Sequence, residues 1–251
     1  MSKSIIEMNG QTFREHNFDK AVLAIGSTEY HGDHLPYGTD TIVADHLASQ
    51  IASELDILLL PTLPIGMSHH YSGFPISLSI STETLIHMLK EVFDSLYQHN
   101  IKRLLIINGH DGNIPAIQGA TNEYRTRNPD FKIAVLEAWW ETASNLLPEN
   151  TFEVWGGLGH GGEGETSMML HIRPELVNMD KAKGVVPRLP ENIQYKWIFN
   201  EITPYGATGD PTKASRHKGK MMNDALLKTL IDFIIKMEEC NWEINKFKNL
   251  N

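Results

Sequence analysis

The segment AVLAIGSTEYHGDHLPYGTDTIVADHLASQIASELDILLLPTLPIG, residues 21–66, contains a strand, a helix and a second strand in succession. Its first six residues form an apolar run that Gly26 closes, and residues 57–66 form another such run. Between them, residues 39–55 carry apolar side chains at helical spacing. Because strands joined through a helix are normally parallel, this stretch predicts a parallel β-sheet with helices packed against it.

The same alternation continues along the rest of the chain. Apolar runs predict strands at 101–110 and 131–140, and periodic patterns predict helices at 81–100, 113–128 and 218–239. The stretch 165–177 predicts a further helix that stops near Pro174. Residues 180–215 are rich in Pro, Gly, Lys and Asn and are expected to be mostly loop. We therefore expect an α/β fold with a mainly parallel central sheet and helices on both faces, in a single domain over residues 1–251.

The composition excludes several classes of protein. The 251 residues include 22 Lys and Arg against 31 Asp and Glu, a net charge of -9, which disfavours nucleic acid and anionic membranes as partners. The single cysteine, Cys240, cannot form an intrachain disulfide. We find no apolar secretory region at the amino terminus and no apolar run long enough to span a bilayer, so we expect a cytoplasmic protein.

Polar clusters follow the first and third strands. Residues 29–36, EYHGDHLP, precede Thr39 and Asp40, and Glu29 and His31 share one face of an extended segment. These residues offer either metal ligands or a polar loop that caps the next helix through Asp40. The second cluster, NGHDGN at 108–113, places His110 either as a ligand or within an ordinary turn.

The third cluster, GHGGEGETS at 159–167, surrounds one histidine and two carboxylates with glycines in front of a predicted helix. Glu165 is either a ligand or a first-turn charge that complements the helix dipole. The cluster lacks the Gly-Lys-Ser/Thr ending of a phosphate-binding loop.

The carboxyl ends of parallel strands meet at one edge of the sheet, so the clusters should converge. Together they offer three acids and two imidazoles, enough for two cations that share one carboxylate: Glu29, His31, Asp40, His110 and either Glu163 or Glu165. His69 and His70, after the second strand, either line the pocket or belong to a surface loop.

The sequence resembles the creatininase family of metallohydrolases. The matching stretches occur in order over most of the chain: GSTEYHGDHLPYGTDT (26–41), NGHDGN (108–113), GHGGEGETSMML (159–170) and YGATGDPTKAS (205–215). The resemblance implies a three-layer αβα fold, two divalent metal ions per chain (Zn, Mn or Fe), hydrolysis of carbon–nitrogen bonds in small, often cyclic, amides, and a homo-oligomer, often a hexamer.

The resemblance also implies roles for individual residues. Glu29 and His110 resemble ligands of one metal, His31 resembles a ligand of the other, and Asp40 resembles the bridging carboxylate. Creatininase has a glutamate ligand where this chain has Gly112. We expect Glu165, which opens a helix, to fill that position.

The resemblance further implies substrate contacts from Ser68, Asp111, Trp155 and His160. Asp111 stands where creatininase has an aromatic residue, and the position of a gating tryptophan is occupied by Gly156 or Gly157 beside Trp155. These departures indicate a substrate other than creatinine.

The expected mechanism is attack of a metal-bridged hydroxide on an amide carbonyl. His160 would stabilise the oxyanion, and whichever of Glu163 and Glu165 is not a ligand would protonate the leaving nitrogen. Two alternatives remain open: deformylation of a formamido-pyrimidine nucleotide, with Lys213, Arg216 and Lys218 holding its phosphate, and a non-catalytic metal-binding assembly subunit.

Overall fold

A four-stranded parallel sheet forms the centre of the computed structural model, which describes residues 3–188 and 196–247. The strands run in the order β2-β1-β3-β4. They are β1 (Lys20–Ile25), β2 (Leu58–Leu59), β3 (Arg103–Asn108) and β4 (Lys132–Leu136). The parallel sheet predicted from the sequence is confirmed.

Eight helices precede, connect or follow the strands in the described part of the chain: α1 (Gly10–His16), α2 (Thr39–Glu54), α3 (Thr82–Gln98), α4 (Ile114–Arg127), α5 (Trp139–Leu146), α6 (Glu163–Ile172), α7 (Arg216–Glu239) and α8 (Ile244–Phe247). Short 3-10 turns occupy several of the loops, among them His69–Tyr71, Asp111–Asn113 and Phe199–Glu201.

Strand β1 shows why the helices form two layers. Successive side chains of a strand point to opposite faces, and Val22 and Ala24 enter one buried cluster while Leu23 and Ile25 enter the other. Helices α2, α5, α6 and α7 pack on the first face, and α3 and α4 pack on the second. The three-layer αβα fold is therefore confirmed.

The pairing of β1 with β3 positions the functional edge. Lys20 lies opposite Arg103 and Ile25 lies opposite Asn108, so both strands end at the same level of the sheet. The loops that begin after Ile25 and Asn108 consequently start side by side.

Two predicted strands are shorter than expected. The run at 57–66 forms only Leu58–Leu59, because Pro61 and Pro64 lack backbone N–H groups. The chain nevertheless follows β1, since Leu63 N–H donates to the Ala24 carbonyl at 3.0 Å. The run at 131–140 ends as a strand at Leu136, and its two tryptophans begin α5, which the sequence pattern did not predict.

Other boundaries differ by smaller amounts. The helix expected within 165–177 begins two residues earlier, at Glu163, and ends at Ile172, close to the expected stop at Pro174, because the residue before a proline disfavours helical geometry. The loop expected at 180–215 holds short 3-10 turns, and its residues 189–195 lie outside the described residues. Among the described helices we find no apolar stretch that reaches across a bilayer.

Candidate metal centre

Five buried side chains from four parts of the fold meet at the carboxyl edge of the sheet. They come from the loop after β1, the first turn of α2, the turn after β3 and the first turn of α6: Glu29, His31, Asp40, His110 and Glu165. Besides a cluster that joins Glu29 and His31 to His160, their ligand atoms fall into two groups within 4.8 Å, one of Glu29, Asp40 and His110, the other of His31, Asp40 and Glu165. Asp40 belongs to both groups.

The carboxylate of Asp40 lies between the two histidines. Its Oδ1 is 3.0 Å from His31 Nε2, and its Oδ2 is 3.1 Å from His110 Nδ1. The hydroxyl of Ser27 also donates to Oδ2, at 2.7 Å. Asp40 is the second residue of α2, after Gly38 as N-cap, so capping through Asp40 is not its role. Each oxygen of the carboxylate thus faces a different group.

Backbone carbonyls orient the rings of three histidines. His31 Nδ1 lies 3.0 Å from the Glu29 carbonyl, His110 Nε2 lies 3.0 Å from the Met67 carbonyl, and His160 Nε2 lies 2.7 Å from the Tyr30 carbonyl. Because a carbonyl only accepts, each of these nitrogens carries the proton. When one of these rings is neutral, its other nitrogen offers a lone pair to a cation placed between that ring and the carboxylates.

Glu29 has the least compensated polar atoms of the centre. Both of its oxygens are buried and accept no hydrogen bond from any described residue. Its Oε1 lies 3.2 Å from His110 Nδ1 and 3.7 Å from His160 Nδ1. A buried carboxylate without donors is costly, so this donor set suits a cation placed between the carboxylates and the ring nitrogens.

The pKa values of His31 and His110 also indicate that the buried carboxylates favour positive charge nearby. Burial lowers the pKa of His31, but the Asp40 carboxylate outweighs it and raises the pKa to about 10. Burial also lowers the pKa of His110, but the carboxylates of Glu29 and Asp40 more than offset this effect. The pKa of His110 therefore lies well above its ordinary value. Burial and the nearby His31 instead lower the pKa of His160 to about 3.

The carboxylates respond in opposite directions. Burial raises the pKa of Asp40, but His31 and His110 more than offset it and hold the pKa well below its usual range. Glu165 is also buried, and burial raises its pKa to about 7 against the opposing effect of His31. Asp40 is therefore anionic at neutral pH, whereas Glu165 can exchange a proton there.

Close backbone approach brings His110 to the centre. A Cβ at Gly109 would lie 2.2 Å from the Asp40 carbonyl, and a Cβ at Gly112 would lie 2.2 Å from the Met67 carbonyl and 2.5 Å from His110 Nε2. Asn108 holds the turn, since its amide donates to the His110 carbonyl at 2.7 Å. No side chain fits at Gly112, so the glutamate expected there in creatininase has no counterpart in this chain.

The two acids of the third cluster have different surroundings. Glu165 Oε2 accepts from Gly161 N–H at 2.6 Å and lies 3.8 Å from His31 Nε2. The carboxylate of Glu163 instead contacts Lys218 Nζ at 2.5 Å and lies in neither ligand group. His160 stands beside the centre, with its ring centroid 4.1 Å from that of His31.

The expected substrate contacts lie at different distances from the centre. Ser68 is buried, with Oγ 3.4 Å from His110 Nε2. Asp111 is exposed, and its charge acts on His70 and Tyr71. Trp155 is 45% exposed, and within the described residues no hydrogen bond or ring contact joins it to the centre.

An aromatic wall beside the centre was not identified from the sequence. Tyr71 is buried with its ring centroid 4.4 Å from that of His160, and Phe199 lies 4.7 Å from Tyr71 and 5.1 Å from His160. His70 stacks on His110 at 5.7 Å. The position of Tyr71 after the second strand was an available signal, whereas Phe199 lies in a long loop with no pattern to mark it.

Comparison with known proteins gives consistent matches over most of the chain. A family model described as "Creatininase: Creatinine amidohydrolase" matches residues 6–234. The chain is 31% identical over 211 residues to a mycofactocin precursor peptide peptidase of Mycobacterium ulcerans, covering 79% of this chain and 78% of that protein. It is 30% identical over 256 residues to the creatinine amidohydrolase of Pseudomonas putida, covering 93% and 97%. A solved structure named "Creatininase Mn" superposes with a TM-score of 0.80 at 25% identity, covering 95% of this chain and 99% of that one.

Proposed function

Since the chain belongs to the creatininase family, whose members include a creatinine amidohydrolase, we propose that it is a metal-dependent amidohydrolase that acts on a cyclic amide or a related small amide. The single observation that carries the proposal is the position of Asp40, whose two oxygens face His31 and His110 at 3.0 and 3.1 Å. A carboxylate shared in this way suits two cations.

The residues present fit such a pair. Glu29, Asp40 and His110 would hold one divalent ion, and His31, Asp40 and Glu165 would hold the other. The unpartnered oxygens of Glu29 and the lone pairs of the oriented imidazoles are the donors that this arrangement uses. Imidazole and carboxylate ligands suit zinc, manganese or iron(II).

When bound, the two ions would lower the pKa of a water molecule and polarise the amide carbonyl. His160 is neutral at physiological pH, because its pKa is lowered to about 3. Its Nε2 proton is committed to the Tyr30 carbonyl, so Nδ1 can accept a hydrogen bond from the substrate. In this tautomer His160 orients an N–H group of the substrate rather than donating to an oxyanion.

Contrary to the division of roles expected from the sequence, proton transfer to the leaving nitrogen is assigned to Glu165, which would also be a ligand of the second ion. Its Oε2 is held by Gly161 N–H, while Oε1 accepts no hydrogen bond from the described part of the chain. Burial raises the pKa of Glu165 to about 7 in the chain without metal. A bound ion would lower this pKa, so the assignment rests on the free Oε1 and not on the pKa. Glu163, which the sequence left as the other candidate, is bound to Lys218 instead.

The nucleotide alternative receives no support from the basic residues expected to hold its phosphate. Lys218 pairs with Glu163 at 2.5 Å, and Lys213 lies 3.4 Å from Glu153. The charges of these two lysines are therefore offset by carboxylates, whereas Arg216 is exposed and forms no ion pair with a described residue.

The test combines metal analysis with a substrate panel. We expect two metals per chain by mass spectrometric elemental analysis. We also expect turnover of a lactam other than creatinine, a formamide or a short peptide, which a chelator abolishes and added Zn²⁺ or Mn²⁺ restores. Turnover of formamides alone would select the deformylase alternative. Bound metal without any turnover would select the assembly subunit.

Substitution of the shared carboxylate is the decisive variant. Asp40→Ala should lose metal and activity, whereas Asp45→Ala, an exposed position on the same helix, should retain both. Full turnover with two metals in Asp40→Ala would overturn the proposal. We further infer that the protein is cytoplasmic and forms a homo-oligomer. Light scattering after gel filtration measures the oligomeric state.

A further inference from the structure

Glu163 carries a fully buried carboxylate that the proposed chemistry does not use. Its Oε2 accepts from Glu153 N–H at 3.0 Å and Val154 N–H at 3.1 Å, and its Oε1 lies 2.5 Å from Lys218 Nζ. The ammonium group also donates to the Lys213 carbonyl at 3.0 Å. Glu163 at the start of α6 thus ties the chain before Trp155 to helix α7.

The segment held in this way, residues 153–161, has an unusual backbone. Trp155 has φ +49°, and four glycines within the segment also have positive φ, from +59° at Gly161 to +111° at Gly159. Left-handed geometry is unfavourable for Trp155, and glycines lose much conformational entropy when they are ordered. Contacts from outside the segment must therefore hold its shape.

The carboxyl half of the segment carries His160. The His160 N–H donates to Thr208 Oγ1 at 3.0 Å, its ring donates to the Tyr30 carbonyl, and Gly161 N–H donates to Glu165. These bonds fix one end of the segment next to the metal centre. The bonds from Glu153 and Val154 to Glu163 fix the other end, so the course of the chain between Trp155 and Gly159 depends on both.

We propose that Glu163 is a positioning residue, whose ion pair with Lys218 holds residues 153–161 and thereby places His160 against the metal centre. The pair is well suited to this role, because a fully buried carboxylate that has two backbone donors and one ammonium group cannot move without losing all three. The catalytic consequence rests on the proposed function, but the structural consequence does not.

The first experiment compares amide hydrogen exchange in the wild-type protein with that in the Glu163→Gln variant, whose new side chain has nearly the same size. Glutamine presents an amide to donors that now face a carboxylate, so the amides of 153–161 should exchange at least about tenfold faster. The amides of β1 and β3 should keep their wild-type rates. Acceleration spread equally over the sheet would instead mean general destabilisation and would overturn the proposal.

The second experiment measures kinetics and metal content. In Glu163→Gln, both metals should remain, because Glu29, His31, Asp40, His110 and Glu165 are unchanged, while kcat/KM of the folded enzyme should fall at least about tenfold, with a rise in KM. Unchanged kcat and KM with a lower Tm would also contradict a positioning role.

A substitution of Lys218 tests the other member of the ion pair, and a substitution elsewhere on α7 is the control. Lys218→Met leaves the carboxylate buried without its counter-charge, so its loss of kcat/KM should exceed that of the double variant Glu163→Gln/Lys218→Met. Lys228→Met, at an exposed ion pair with Asp232 on the same helix, should behave as wild type.

These outcomes separate the inference from the proposed function. If the wild-type protein hydrolyses no member of the substrate panel, the proposed function fails, yet local exchange at 153–161 still decides the role of Glu163. If Glu163→Gln does not fold, Lys218→Met provides the same exchange comparison. If the losses of kcat/KM in the two single variants simply add in the double variant, the ion pair is excluded as the positioning contact.

Discussion

Ser27 donates its hydroxyl hydrogen to Asp40 Oδ2 at 2.7 Å, and both residues are buried at the carboxyl edge of the sheet. The bond fixes the rotation of the carboxylate, so that Oδ1 faces His31 while Oδ2 faces His110. Ser27 therefore orients a candidate ligand without belonging to either ligand group.

The first prediction removes this hydroxyl group. Ser27→Ala should weaken metal binding about 10- to 100-fold, the usual effect of losing a residue that orients a ligand, with a stability loss of about 1 kcal/mol. Competition with a fluorescent chelator measures the affinity. Ser95→Ala, which removes an exposed hydroxyl bonded to the Glu91 carbonyl in α3, is the matched control. Equal affinities in the two variants would show that Ser27 does not orient Asp40.

The second prediction concerns the tight turn that carries His110. A methyl group at Gly112 would meet the Met67 carbonyl and His110 Nε2 at 2.2 and 2.5 Å. Gly112→Ala should therefore cost about 2 kcal/mol or more and displace the His110 ring, which lowers metal content. Chemical denaturation and elemental analysis measure the two effects.

Gly119 is the internal control for that substitution. It lies within α4, where an added Cβ would meet only the flexible Ile86 side chain at 3.1 Å. Alanine is the better helix former by about 1 kcal/mol, so Gly119→Ala should be neutral or stabilising and keep its metal. A similar metal content in Gly112→Ala and Gly119→Ala would refute the role given to Gly112.

The third prediction follows from the pKa of His31, which rises from 6.5 to about 10 without metal. A raised pKa contributes stability that is fully present below pH 6.5 and lost as the pH approaches 10. The Tm of chelator-treated protein should therefore fall over this range. Bound metal supplies the same positive charge, so the metal-loaded protein should lose less.

His31→Gln is the control for this pH dependence. It removes the titrating ring, so the chelator-treated variant should show a smaller fall in Tm between pH 6.5 and 10 than the wild-type protein does. Differential scanning calorimetry across the range gives both curves. Parallel curves for the two proteins would assign the pH dependence to other groups.

The fourth prediction concerns the aromatic wall. The Phe199 ring lies 5.1 Å from that of His160 and 4.7 Å from that of Tyr71, next to the space that a substrate would enter. Phe199→Ala should raise KM about tenfold and change kcat less, because a hydrophobic wall binds substrate and transition state alike. Steady-state kinetics on the best substrate measures both constants. As a control, Leu146→Ala, at a half-exposed residue of α5, should leave KM unchanged. If Phe199→Ala has the same KM as the wild-type enzyme, Phe199 does not contact the substrate.

Local patterns were sufficient for much of the fold. The alternation of buried runs and helical stripes predicted the parallel sheet and the helices on both faces, and the carboxyl-edge rule predicted where the clusters would meet. The patterns failed where neighbours decide the outcome. Trp139 reads as the end of a strand but begins α5, because it is buried in the core on one face of the sheet.

The sequence by itself determined which chemical groups reach the edge of the sheet, since Glu29, His31, Asp40 and His110 directly follow strands or open a helix. Only the tertiary structure placed Glu165, and not Glu163, in a candidate ligand group. Both lie in the first turn of α6, but residues two apart on a helix point in different directions, one toward Lys218 on α7 and the other toward His31. The packing of α6 against its neighbours decides which of the two carboxylates contacts Lys218 and which contacts His31. The residues of α6 alone do not contain that information.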